Sequence, residues 1–333
     1  MKPDMNMDGS EIKEEKMNDI IRPLIVPMYT PFDRDGALDE RGVVELIGWL
    51  IGKGVRSFYV RSGVGGKWLM GMEEVKRLAE LSVGAAKGKA KIIVGCEGEW
   101  DGDLRGRPDP ETYLSQSCEL ASYVQDIGAD GVFLTMPFAL KPGPGESAID
   151  ISLRYFAEVR RSTSLPILLH QMRNVPEEFK LSPDMLEGLL TLGGFVGIKV
   201  STDSASELER FSEMVKGKDF ALICGNEALW FEGIRMGAIS VIGGGCNVYP
   251  EVIGAVWDRF QAGDEKGARK AQNAVIAALK APGELSGIIW RQYLIRKGVR
   301  MEPYDRSGSE PYPETIVDEF EAKVDRIIRP YQG

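Results

Sequence analysis

Short apolar runs recur along the chain, and each is followed by a stretch whose apolar positions fall at helical spacing. The runs are Pro23–Met28, Ser57–Val60, Lys91–Cys96, Gly131–Met136, Leu165–His170, Phe195–Val200, Phe220–Cys224 and Ala238–Gly243. They are nearly continuous in hydrophobicity, not alternating. Strands buried on both faces have this pattern, as in a parallel sheet. The intervening stretches carry helix signals. Asp109-Pro110 and Ser182-Pro183 each place a capping side chain before a proline at the first helical position. Lys53-Gly54 and Ile127-Gly128 read as helix stops.

Eight strands alternating with helices predict a closed barrel ahead of an open doubly wound sheet. No glycine-rich dinucleotide turn follows the first run, and Gly63, Gly65 and Gly66 after the second lack GxGxxG spacing. After Pro250 only helical patterns remain, over 251–262, 264–280, 284–297 and 313–328. The expected organisation is α/β: a flexible tail over 1–20, a (β/α)8 TIM barrel over 21–250, and a helical C-terminal domain over 251–333.

Composition narrows the function classes. The chain has 333 residues, 43% hydrophobic, which is enough to bury a large core without disulfides. A formal net charge of −9 argues against nucleic acid and anionic membrane surfaces as partners. No apolar run is long enough to cross a bilayer, and Met1–Asp19 has no apolar core of a signal peptide. The four cysteines form no CxxC pair, so a reducing cytoplasm is the expected location. His170 is the single histidine, which argues against an imidazole-rich metal site; no metal and no cofactor are expected.

A barrel of this type holds its active site at the C-terminal ends of its strands. Lys199 lies near the end of the sixth apolar run. Burial penalises its ammonium and frees the amine to attack a carbonyl. The alternative is a lysine that snorkels out of the strand end or pairs with Glu97 or Glu99. His170 ends the fifth run, beside it, and is either a site residue or a packed one. Arg61 offers a planar fork for a carboxylate, or a salt bridge to a loop acid. Gly63, Val64, Glu97, Phe138, Gln171, Gly225, Ile242 and Gly243 fall at or beside other strand ends. The Gly243–Gly245 run permits close backbone approach, as an anion nest or as relief of crowding. Cys96, Cys224 and Cys246 read as small buried residues. The long loop from Glu97 to Pro110 is a pocket-shaping segment or a surface insertion.

Ordered motifs run from Thr30-Pro31-Phe32 and Asp35-Gly36, through Met70, Glu73-Glu74, Gly128-Ala129-Asp130 and Met136-Pro137-Phe138. They continue through Val196-Gly197-Ile198-Lys199 and Gly225-Asn226-Glu227 to Gly237-Ala238, Ile242, Asn247 and Pro250. In order and spacing they resemble the dihydrodipicolinate synthase / N-acetylneuraminate lyase family of class I aldolases and hydro-lyases, over residues 21–306. The resemblance implies a (β/α)8 barrel with a three-helix C-terminal domain and a homo-oligomer, a tetramer or dimer. It also implies a pyruvate-like 2-oxo acid bound as an imine on Lys199. Several family positions differ. The Gly-Thr-Thr-Gly-Glu loop is Ser62-Gly63-Val64-Gly65-Gly66, so both threonines are lost. His170 stands where the family has a tyrosine, and Ala139 replaces the second aromatic after the strand-four proline. The expectation is a lyase, aldolase or dehydratase whose proton relay is altered. Its catalytic residues are Lys199 and His170, with the carboxylate held by Arg61 or backbone N–H groups. A sugar-acid dehydratase of the deoxyglucarate type and a non-catalytic ligand-binding member are the alternatives.

Overall fold

A computed structural model describes residues 19–332. Eight parallel strands follow one another in sequence order. They are β1 (Val26–Pro27), β2 (Ser57–Val60), β3 (Lys91–Gly95), β4 (Gly131–Thr135), β5 (Ile167–Gln171), β6 (Phe195–Val200), β7 (Ala221–Cys224) and β8 (Ser240–Val241). Each apolar run predicted from the sequence carries one of them, with β5 running one residue further, to Gln171. The sheet curls until its edges meet. The Ile25 N–H donates to the Val241 carbonyl at 3.1 Å, and the Val241 N–H donates to Pro23 at 3.0 Å. Leu24 and Val241 form a parallel bridge at this seam. The fold is therefore TIM-barrel-like α/β. Strands β1 and β8, which share the seam, are the shortest.

The outer helices are α1 (Glu40–Gly52), α2 (Met72–Ala86), α3 (Pro110–Asp126), α4 (Ala148–Ser162), α5 (Pro183–Leu192), α6 (Ala205–Val215) and α7 (Trp230–Arg235). The capping signals operate as read. Asp109 accepts from the Thr112 N–H at the start of α3, and Ser182 from the Met185 N–H at the start of α5. Each such cap contributes about 1 kcal/mol. Gly54 and Gly128, at φ of 87° and 86°, turn the chain from α1 and α3 into the next strand.

The last quarter of the chain is helical, in α8 (Pro250–Gln261), α9 (Glu265–Leu279), α10 (Ile288–Arg296) and α11 (Glu314–Ile328). Their apolar faces join the layer between strands and outer helices in one continuous core. A second, smaller core fills the barrel itself: Ile25, Tyr59, Ile93, Phe133, Leu168, Ile223 and Ile242, with Ile20 and Ile21 below. Most of the predicted N-terminal tail lies outside the described residues. Its last two do not: Ile20 packs in the barrel interior, and Asp19 pairs with Lys91 and Arg22. No helix among the described residues is long and apolar enough to cross a membrane.

Candidate active site

The inner face of the barrel turns polar just above the small apolar core. Register carries one row of side chains around it. Thr135 on β4 is the partner of His170 on β5, and His170 is the partner of Lys199 on β6. Two residues below Thr135 and His170 lie Phe133 and Leu168, which belong to the interior core, so the row points inward. Glu97, just past β3, joins the row by accepting from the amide of Thr135 at 2.7 Å and from its hydroxyl.

Lys199 is buried and enters no ion pair among the described residues. Burial pushes its amine down to about 8, and the Lys67 charge adds to the effect; Glu227 acts in the opposite sense. His170 Nε2 hydrogen-bonds with Ser201 Oγ at 2.9 Å, while Nδ1 is buried with no partner. Burial, then the charges of Lys199 and Lys67, hold the imidazole well below 6.5, so it is neutral at neutral pH.

A second lysine completes the row. Lys67 comes from the turn after β2 and is buried. Its ammonium donates to Glu97 Oε1 at 2.9 Å and to Thr135 Oγ1 at 2.5 Å, and stands 4.2 Å from the Trp68 ring centroid. Burial alone would raise the Glu97 carboxyl. The charges of Lys67 and Arg61 and the Thr135 hydroxyl outweigh it and hold the carboxyl down to about 2.

The other predicted residues are distributed unevenly. Arg61 is buried with φ +57°, a left-handed conformation that a side chain resists. Its Nη1 is committed to the carbonyls of Gly95 and Glu97, and its Nε has no partner. Gly63 and Val64 form the exposed turn over the mouth. Gly243 and Gly225 mark close approaches. A Cβ on Gly243 would lie 1.8 Å from Glu227 Oε2, and one on Gly225 would lie 2.5 Å from the Val200 carbonyl. Ile242 belongs to the apolar core below. Phe138 packs edge-on to Trp100, which in turn meets Trp68. The long loop after β3 is thereby tied to the rim. Gln171 is apart from the rest: next to His170 in the strand, it faces outward, and its Oε1 accepts from the Leu181 N–H at 2.9 Å.

Lys67, Thr135, Tyr59, Ser201 and Glu227 were not among the predicted site residues. Glu227 is buried and accepts from the Gly245 N–H at 2.7 Å. Its signal was the Gly-Asn-Glu turn ending the seventh run. Lys67 gave a weaker one, a lysine directly after two glycines, which ordinarily reads as a solvent-facing turn.

The model of the dihydrodipicolinate synthetase family matches residues 21–326. A 4-hydroxy-tetrahydrodipicolinate synthase of Thermus thermophilus is 28% identical over 268 residues, covering 79% of this chain and 81% of the relative. One from Methanothermobacter thermautotrophicus is 25% identical over 269 residues, covering 78% and 86%. Among solved structures, the sialic acid aldolase of Ruminococcus gnavus superposes with a TM-score of 0.79 at 18% identity, over 94% of this chain and 99% of that one. YagE of E. coli K12, solved in complex with pyruvate, gives 0.76 at 23% identity, over 92% and 98%. The chain belongs to the dihydrodipicolinate synthetase family.

Proposed function

We propose that the protein is a Schiff-base lyase acting on a pyruvate-type 2-oxo acid, with Lys199 as the amine that forms the imine. The observation that carries this reading is a buried, unpaired lysine on the inner face of the barrel, depressed to about 8. An amine of that kind is available near neutral pH, where an ordinary lysine is almost wholly protonated. It adds to the C2 carbonyl, and the carbinolamine loses water to give a protonated imine. The imine nitrogen then accepts the electron pair released when a C3–H or C3–C4 bond breaks. When C3–C4 breaks, the C4 hydroxyl gives up its proton and the fragment leaves as a carbonyl compound; the enamine takes a proton back at C3, and hydrolysis returns the oxo acid and the free lysine.

His170 is the proton carrier that register sets beside Lys199. As a neutral imidazole it takes a proton from the carbinolamine or from C3 and returns it. It occupies the place where the family pattern has a tyrosine. The carboxylate is assigned to the backbone N–H groups of Gly63 and Val64, because Nη1 of Arg61 is already engaged by two carbonyls.

A specific observation favours a hydroxylated oxo acid over pyruvate alone. Glu97 Oε2 and the Tyr59 hydroxyl are buried without partners on the same side of the barrel. Buried polar atoms left unpaired are costly, and substrate hydroxyls satisfy them. A sugar-acid aldolase or dehydratase fits these atoms.

The test is reductive trapping. Incubation with pyruvate, 2-oxobutyrate and hydroxylated 2-oxo acids plus borohydride, followed by mass measurement, is expected to show one adduct on Lys199. Lys199→Ala is expected to show none. Absence of an adduct across the panel would sink the imine reading in favour of a ligand-binding member. An adduct surviving in Lys199→Ala would move the nucleophile elsewhere.

A further inference from the structure

Two lysines share the inner row of this barrel, and the chemistry above uses one. Lys67 enters from the turn where Gly66, at φ +80°, reverses the chain after β2. Glu97 Oε1 collects three donors: the Lys67 ammonium, the Thr135 amide and the Thr135 hydroxyl. A carboxylate oxygen so surrounded is ionised, and Lys67 is its counter-ion. Lys67 also donates to Thr135 Oγ1. Thr135 is separated from Lys199 by β5 alone, that is, by two strand spacings or about 10 Å.

We infer that Lys67 is a positioning residue for Lys199: its ammonium, held by Glu97 and Thr135, raises the share of Lys199 in the amine form that attacks a carbonyl. This rests on the imine reading of Lys199. The titratable groups near Lys199 are Lys67 from the turn after β2, His170 from β5, Glu227 from the turn after β7 and Cys246 from the turn after β8; Cys224, at the end of β7, points outward against Gly233 of α7. His170 is neutral at neutral pH, and burial keeps both thiols protonated. Glu227 favours the Lys199 ammonium. Among these described groups, Lys67 is the cation that opposes it; burial works against its charge, and the Glu97 carboxylate supports it. A unit charge at about 10 Å and an effective dielectric of about 20 shifts a lysine by roughly one pH unit. Removing Lys67 would cut the free-amine fraction at neutral pH about tenfold.

The experiment reads Lys199 without any substrate. The full-length protein is trace-acetylated with acetic anhydride across pH 6–11, and the Lys199 peptide is quantified by mass spectrometry. Lys67→Gln keeps a donor toward Glu97 but removes the charge, and is expected to raise the Lys199 midpoint by about one pH unit. Lys67→Met/Glu97→Leu replaces the buried pair with apolar side chains, an exchange that buried pairs tolerate. It is expected to raise the midpoint by less, because the opposing Glu97 charge leaves with it. Lys67→Arg keeps the charge and is expected to retain the wild-type midpoint. A midpoint unmoved in Lys67→Gln, or raised in Lys67→Arg as much as in Lys67→Gln, or raised in the double variant more than in Lys67→Gln, overturns the inference. Trapping with oxo acids plays no part in this readout, so failure of imine formation and failure of the Lys67 role are told apart.

Discussion

Lys199 and His170 stand side by side as register partners on β6 and β5, both inside the barrel and both buried. Burial disfavours the charge of each, and the Lys199 charge further disfavours that of His170, so the low-dielectric mouth holds both toward their neutral forms. This changes one expectation from the sequence. A lone histidine read as catalytic would ordinarily titrate near neutral pH; burial and two nearby lysines push the titration of His170 well below that range.

The rate of imine formation is expected to rise with pH through a midpoint near 8, following the Lys199 amine. No limb between pH 5 and 7 should belong to His170. His170→Phe should therefore leave borohydride trapping largely intact and slow turnover without shifting the midpoint. A stopped-flow pH profile of adduct formation in both proteins checks this. A limb near pH 6.5 that disappears in His170→Phe would restore the titrating histidine.

Lys199 should cost the fold stability. Its amine is held near 8 in the folded chain against an ordinary 10.5. The unfolded chain therefore binds the extra proton as pH falls from about 10.5 to 8, and below 8 the penalty is complete. At pH 7 it is on the order of 3 kcal/mol. Lys199→Met is expected to be more stable than wild type at pH 7, and the gap should close above pH 10. Urea denaturation at the two pH values measures it; a destabilised Lys199→Met at pH 7 contradicts the burial argument.

Glu97 has the opposite sign. Its carboxyl is held down to about 2 against an ordinary 4.5, so its contribution is present above 4.5 and lost as pH falls toward 2. The contribution is on the order of 3 kcal/mol. Glu97→Gln is expected to lower stability at pH 7 and to flatten the loss between pH 4.5 and 2. By contrast, Arg105→Ala, which removes the exposed Asp103–Arg105 pair, should leave stability almost unchanged. Equal effects at the two sites would contradict the buried-pair argument.

Gly243→Ala tests the close approach at the mouth. The added methyl would sit 1.8 Å from Glu227 Oε2 and 3.1 Å from Glu227 Cβ, so the whole side chain has to move. The expected cost is about 1–3 kcal/mol of stability, with a lower Lys199 midpoint because the displaced carboxylate supports the ammonium less. An unchanged midpoint alongside an intact fold would mean that Glu227 has no electrostatic hold on Lys199.

Much of the fold was legible before any coordinates. The number and order of strands, the caps at Asp109 and Ser182, and the turns at Gly54 and Gly128 all follow from local rules. A strand buried on both faces must be apolar throughout, and a helix end must satisfy its own N–H groups. Lys199 was legible for the same reason: a lysine inside such a run has to be buried. What only the tertiary structure decided is which polar groups meet. Gln171 and His170 are neighbours in sequence, yet strand alternation sends one to the outer helices and the other to Lys199. Lys67 reads as a turn lysine until Glu97, just past β3, and Thr135, on β4, close around it. Desolvation and charge pairing depend on distance in space, not in sequence, and only barrel closure sets those distances.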